Sequence, residues 1–429
     1  MKCPVSAIVL ATAVQGTRFA VGRREEERPH ALLRVGGLSL VQHSLYRLHA
    51  AGLRRFTVVL GCQAARVEKL VRRTVLQPGA DVSCILAPDW RAGEGACLAT
   101  AVRRTATSPC LTVSATWLIS PEAIMAMCRQ AAITGETTVL AREPMGQTAD
   151  SGREIGAVYV SDSLLAWLRE AQPSVSSASS TLPLERYARK HPVHTVNVRE
   201  DFARCIDSPA AKRQAENLIV NGLNKGKKDG FLSQHIGRKI SCYVSMALAP
   251  TAVTPNQLTW IGFGLMLAAG AMLARGGRWL LGGAVSALLA SLFDGCDGEV
   301  ARLRYRQTRA GAWLDIVLDR YGDAALALGA TWSAYTALPE KWVVFLGGVS
   351  LLGFIMSSHA KKEYHICYGE PYPPTVVARL GLRDIHIAAA VLGALAGYPF
   401  IGVVTTGLLS HVVVAWMLWS ARGTAQARA

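Results

Sequence analysis

Two patterns of hydrophobic and polar positions divide this chain. To about residue 235, apolar runs a few residues long alternate with stretches of helical spacing. Beyond Asn256, long apolar runs take over. In the first part, Ala7 to Leu10 and Phe56 to Leu60 read as buried strands, followed by Cys84 to Leu86, Leu111 to Val113 and Thr138 to Leu140. Leu40 to His49 and Arg66 to Arg73 have the periodicity of helices. Such alternation predicts an α/β domain built on a parallel sheet. The Ser-rich stretch Gln172 to Ser180 predicts a loop.

In the second part, spans are expected near 256–274, 278–294, 310–334, 341–358, 384–397 and 400–420, an all-α bundle of six transmembrane helices. The fifth is short and begins with Asp384 and His386. The expected division is an α/β domain over 1–222, an amphipathic juxtamembrane linker over 223–253 and a membrane domain over 254–422. The linker includes Lys225, Lys227 and Lys228, then Asp229 to Ser233 and Arg238 to Ser241, a basic segment suited to a membrane surface.

Composition adds little until the two parts are separated. The hydrophobic fraction of 51% averages over unlike halves. A net charge of +16 raises nucleic acid as a partner, but no nucleic-acid-binding motif accompanies it. Anionic lipid headgroups and phosphorylated substrates account for the excess, so no nucleic-acid partner is expected. The ten cysteines lack C-x2-C spacing, which argues against both a zinc site and a disulfide framework. Met1 to Ala20 holds a strand-like run without an A-x-A site, so no cleavable signal peptide is expected. Arg302, Arg304, Arg306 and Arg309 lie between spans two and three, and Lys361, Lys362, Arg379 and Arg383 between four and five. By the positive-inside rule, a multi-pass protein of the inner or plasma membrane is expected, its termini and acidic cluster facing the cytoplasm.

The chemistry concentrates in Asp294-x2-Asp297-Gly298-x2-Ala301-Arg302-x8-Gly311-x3-Asp315-x3-Asp319. Apolar sequence surrounds it, from Trp279 to Phe293 and from Ile316 to Trp332. One carboxylate at bilayer depth costs about 2.5–3.5 kcal/mol on insertion scales, so four together call for a cation or a wet cavity. Asp315 and Asp319 are i, i+4, and Asp294 and Asp297 are i, i+3, so each pair shares a helix face. If the two segments are neighbours, the groups converge on a site for hard divalent cations such as Mg²⁺ or Mn²⁺. Four carboxylates suit two metals. Gly298 admits a ligand to the backbone, Gly311 lets helices approach, and Arg302 offers a fork for phosphate. A cation transporter is the competing class, but it leaves the Gly-x2-Ala-Arg part unexplained.

The segment resembles the CDP-alcohol phosphotransferase signature D-x2-D-G-x2-A-R-x8-G-x3-D-x3-D at every specified position. The resemblance implies a six-helix membrane bundle that transfers a substituted phosphate group from a CDP-linked donor to an alcohol and releases CMP. By that resemblance, Asp294, Asp297 and Asp315 are metal ligands, with Asp319 completing the metal set and serving as the base for the acceptor hydroxyl. Gly298, Ala301 and Arg302 receive the cytidine diphosphate. Arg309, His359, Lys361, Lys362 and Arg383 are the basic candidates for a phosphorylated polyol acceptor such as inositol phosphate. A homodimer in contact with membrane lipids is implied as well.

The N-terminal half resembles the sugar-phosphate nucleotidyltransferases, a Rossmann-like α/β fold. Their L-A-A-G-x-G-T-R turn stands here as Leu10-Ala11-Thr12-Ala13-Val14-Gln15-Gly16-Thr17-Arg18, short of a glycine. Pro29-His30 replaces the following P-K, and Ser114-Ala115-Thr116 stands where a metal-binding aspartate is expected. Only Asp207 resembles a second metal ligand. Loss of backbone donors and of a carboxylate predicts a domain that keeps the fold without cytidylyltransferase activity. The order of the two parts resembles the bifunctional inositol-phosphate cytidylyltransferase and di-myo-inositol-phosphate-phosphate synthase enzymes, which favours a CDP-inositol-like donor. The bundle alone equally suits CDP-diacylglycerol and phospholipid synthesis.

Overall fold

A computed structural model describes residues 6–14, 28–74, 76, 79–142, 155–170, 181–198, 203–224, 238–373 and 375–426. The chain divides into two compact units, Met1–Gly222 with Arg304–Arg306, and Leu223–Leu303 with Gln307–Ala429. The expected glycine-poor turn at Gln15 to Arg18, the Ser-rich loop and the linker lysines lie outside the described residues.

The first unit carries strands β1 (Ser6–Ala11), β2 (Arg34–Val35), β3 (Leu38–Ser39), β4 (Arg55–Leu60), β5 (Asp81–Leu86), β6 (Cys110–Ser114), β7 (Trp117–Ile119), β8 (Thr137–Arg142), β9 (Ile155–Val160), β10 (Val193–Val198) and β11 (Ala203–Cys205). Its helices are α1 (Leu40–Ala50), α2 (Ala64–Arg73), α3 (Glu94–Thr105), α4 (Pro121–Thr134), α5 (Asp162–Glu170), α6 (Thr181–Ala188) and α7 (Pro209–Asn224). The main sheet runs β10-β8-β9-β6-β1-β4-β5. All five strands read from the sequence lie in it. The sheet is mixed rather than wholly parallel, because β9 runs antiparallel to both β6 and β8. Alternate residues of β1 divide between two cores, with Ala7 and Val9 on one face and Ile8 and Leu10 on the other. Helices cover both faces, so β1 reads as an unbroken apolar run.

The second unit is helical: α8 (Arg238–Leu248), α9 (Pro255–Arg275), α10 (Trp279–Leu303), α11 (Arg309–Ala337), α12 (Lys341–Tyr368), α13 (Val376–Leu380), α14 (Arg383–Leu395) and α15 (Pro399–Gln426). Helices occupy all six segments expected to span. By length and composition, α9, α10, α12 and α15 are apolar enough to cross a membrane. Acidic and basic residues set α11 apart, and α14 is only 13 residues long. Local signals fix the ends: Thr254 and Gln257 form a capping box at α9 with Pro255 in its first turn, and Thr308 caps α11.

Close backbone approach joins α9 to α11. A Cβ on Gly329 would sit 2.9 Å from the Cα of Gly270, and one on Gly322 would sit 2.8 Å from Met266 Cγ. Small residues at such crossings replace hydrophobic burial as the source of contact in lipid. Met266, Ala287, Ala290, Ala327 and Ala330 fill the shared core.

Candidate active site

The apolar part of α10 ends near Asp294, but the helix continues through the whole Asp294 to Arg302 segment. It packs against α9, which also packs against α11. That arrangement brings Asp294 of α10 together with Asp315 and Asp319 of α11: ligand atoms of all three lie within 4.8 Å of one another. Asp297 lines the same cavity with them. Its carboxylate is buried, and its Oδ2 accepts a 2.6 Å hydrogen bond from Thr259 Oγ1 of α9 while Oδ1 accepts from the Gly298 amide.

Arg383, at the start of α14, points into the cluster. Its Nη1 lies 3.1 Å from Asp294 Oδ1 and 2.8 Å from Asp319 Oδ1, and its Nε donates to Asp323 Oδ1 at 2.9 Å. Asp323 is buried and also pairs with Arg320 at 2.9 Å. The sequence reading placed Arg383 among acceptor-binding residues and missed Asp323 and Thr259. Asp323 had a signal, since Asp315, Asp319 and Asp323 recur every four residues along one helix face. Thr259 had none beyond being polar within an apolar run.

This donor set fits a hard divalent cation. Five carboxylates meet two guanidinium groups, which leaves negative charge for a cation to neutralise. The enclosed volume is about 20 Å³, above the ~10–15 Å³ that one water needs. Beside it, Gly298, Ala301 and Arg302 fall at i, i+3 and i+4 on α10 and share a face. A Cβ on Gly298 would stand 3.2 Å from an Arg302 guanidinium nitrogen, so glycine there leaves room for that fork. At Gly311 the space is taken by the capping Thr308 hydroxyl at 2.9 Å and by Asn256 at 3.2 Å.

The family model for CDP-alcohol phosphatidyltransferase matches residues 252–421. An archaetidylinositol phosphate synthase of Methanothermobacter thermautotrophicus is 30% identical over 147 residues, 34% of this chain and 69% of that one. The chain belongs to the CDP-alcohol phosphatidyltransferase family. As a member it is a membrane phosphotransferase. The model for a MobA-like NTP transferase domain matches residues 7–218. Similarity to relatives extends across both parts of the chain. A protein of Rubrobacter xylanophilus named bifunctional IPC transferase and DIPP synthase is 29% identical over 425 residues, 94% of each chain. One of the same name from Thermococcus kodakarensis is 29% identical over 385 residues, 84% of this chain and 83% of that one.

Among the remaining basic candidates, Lys362 lies within electrostatic reach of Asp315 and Asp319, and the others make contacts of their own. Lys361 Nζ donates to the Gly381 carbonyl at 2.9 Å, tying α12 to the turn before α14. His359 lies 3.9 Å from Glu363 on its own helix, and Arg309 is exposed at the start of α11. Lys362 is exposed on α12.

At the strand ends of the N-terminal unit, hydroxyls stand in the place of the expected carboxylate. Ser114 Oγ donates to Glu94 Oε1 at 2.6 Å and lies 2.8 Å from Thr116 Oγ1. Burial pushes the Glu94 carboxyl above its ordinary range, opposed by the Ser114 hydrogen bond. His30, in the position of the phosphate-binding lysine, is buried and its Nε2 contacts the Ile206 carbonyl. Asp207 is exposed.

Proposed function

We propose that this protein transfers a substituted phosphate group from a CDP-inositol-like donor to an alcohol acceptor such as inositol phosphate, releasing CMP. The convergence of Asp294, Asp315 and Asp319 beside the Gly298–Arg302 face carries this reading. In the proposed step the acceptor oxygen bonds to the phosphorus distal to cytidine as the bond to CMP breaks. Asp319 takes the acceptor proton, and Arg302 orients the diphosphate. Asp294, Asp297 and Asp315 would hold Mg²⁺ or Mn²⁺, which when bound neutralises the diphosphate and the charge on departing CMP. The relatives named for bifunctional IPC transferase and DIPP synthase, similar along nearly the full chain, support the donor class. Loop charge supports a cytoplasmic site, and six spans with a homodimeric assembly follow from the family resemblance.

The test presents purified protein with CDP-inositol and with CDP-diacylglycerol separately, each with inositol phosphate, and follows CMP. Metal-dependent release from CDP-inositol is expected. Release from CDP-diacylglycerol alone would reassign the donor to a lipid, and release from neither would sink the reading. Asp319→Asn should abolish transfer while CDP still binds.

The N-terminal unit keeps the nucleotidyltransferase fold without cytidylyltransferase activity. Buried His30 and the Ser114–Thr116 hydroxyls support this. Pyrophosphate release from CTP and inositol phosphate by the full chain would overturn it.

A further inference from the structure

A second feature of the N-terminal unit lies away from its strand-end residues. A cleft of about 1200 Å³ opens between α2, α7 and the segment that runs through Arg28 and Arg34. Thr12, Glu94, Ser114 and Thr116 do not line it. Its volume slightly exceeds the ~300–1000 Å³ of ordinary small-molecule pockets.

Charge is sorted around this cleft. On α2, Arg66, Lys69 and Arg73 fall at i, i+3 and i+7 and share one helix face with Leu70, so every charged residue of that face is a cation. The opposite face buries Val67 and Val71 in the core. The acid of that helix, Glu68, is turned away from the cleft and pairs with Arg72 at 2.6 Å. Across the cleft, α7 contributes Lys212 and Arg213 with Glu216, the single carboxylate among the described lining residues. Glu216 lies 3.8 Å from Lys212. Arg28 and Arg34 complete a set of seven cationic side chains against one anionic side chain among the described residues.

Cations gathered in one concavity repel wherever they come within a Debye length, about 8 Å at physiological salt. A cleft lined by one sign of charge concentrates field and recruits a counter-ion. The cleft also receives residues from the starts of three helices, Ser39 before α1 and Gln42 within it, Gln63 before α2 and Pro209 of α7. Each start adds partial positive charge of the same sign. Arg28, Arg34, Arg66, Lys69 and Arg73 are exposed, so a dissolved ligand reaches them directly.

We propose that this cleft binds a soluble anion carrying several clustered phosphate groups. The site is independent of the phosphotransfer reading, and its failure would leave that reading intact.

Full-length protein in a neutral detergent, titrated with inorganic triphosphate by calorimetry, tests the proposal. Saturable binding with one site per chain is expected, weakening as salt rises. The triple variant Arg66→Ala, Lys69→Ala, Arg73→Ala should lower affinity at least tenfold while CMP release without triphosphate stays at the wild-type rate. A second variant, Lys212→Ala with Arg213→Ala, should weaken binding in the same direction and guards against misfolding of the first. Absence of saturable binding, or affinity unchanged in both variants, would overturn the proposal. So would binding only to phosphatidylglycerol vesicles without competition by triphosphate, which would assign the cations to a membrane surface.

Discussion

Asp323 holds Arg383 by a 2.9 Å hydrogen bond from the guanidinium Nε, and so fixes how the same guanidinium meets Asp294 and Asp319. Asp323 lies outside the signature, one further turn along α11 from Asp319. It acts as a positioning residue that draws part of the Arg383 charge away from the cluster.

Removing that restraint should raise the metal requirement. In Asp323→Asn, Arg383 is left to pair with Asp294 and Asp319 and competes with the cation there. The expected result is about a tenfold rise in the Mg²⁺ concentration giving half-maximal CMP release, which is about 1.4 kcal/mol. An unchanged metal titration with reduced maximal rate would remove Asp323 from this role.

Glu299 predicts a non-additive mutant cycle. It is fully buried on α10 and accepts hydrogen bonds from Ser241 Oγ at 2.8 Å and Ser245 Oγ at 2.7 Å, both on α8. Deleting the two hydroxyls leaves the carboxylate under-satisfied, whereas deleting all three groups does not. Ser241→Ala with Ser245→Ala should therefore cost about 2–4 kcal/mol, and adding Glu299→Leu should recover part of it. Thermal unfolding in detergent reads the cycle, and simple additivity would contradict it.

Gly329 should tolerate no side chain. A Cβ there meets the Gly270 backbone, and neither helix can yield without moving the other. Gly329→Val should push α9 from α11, displace Asp315 and Asp319 from Asp294, and lower CMP release at least a hundredfold, since about 1 Å of misplacement has that effect. Wild-type turnover in that variant would show that the crossing does not set the cluster.

Acid should loosen the N-terminal unit through His43. Its Nε2 lies 2.8 Å from the Val35 carbonyl, and burial, reinforced by Arg47, holds its pKa down to about 3 from 6.5. The folded pKa is depressed, so the unfolded chain binds the proton first. Stability is complete above about pH 6.5 and falls as pH drops toward 3, by about 1.4 kcal/mol per unit inside that window. His43→Asn should flatten the slope of the denaturant midpoint between pH 7 and 5, and an unaltered slope would exclude His43 as its source.

Much of the site was legible because helical spacing projects onto a face. Asp315 and Asp319 could be placed together from their numbers alone, and the apolar segments that carry them read as helices. What joined them to Asp294 was the packing of α10 on α9 together with the α9–α11 crossing at Gly270 and Gly329, and a pattern of small residues does not name its partner. Arg383 was legible as a charge but not as a member of the cluster, because 89 residues separate it from Asp294. The strands of the first unit were readable as apolar runs. The antiparallel entry of β9 was not, since direction depends on connections rather than on residue pattern.

The brevity of α14 has a consequence for where Arg383 works. Thirteen residues rise only about 20 Å, roughly two thirds of a hydrocarbon core. A helix that short cannot keep its first residue at one water boundary while its last reaches the other. Arg383 opens this short rod with its side chain only 17% exposed, so the protein around it rather than solvent governs its pull on the acids it meets.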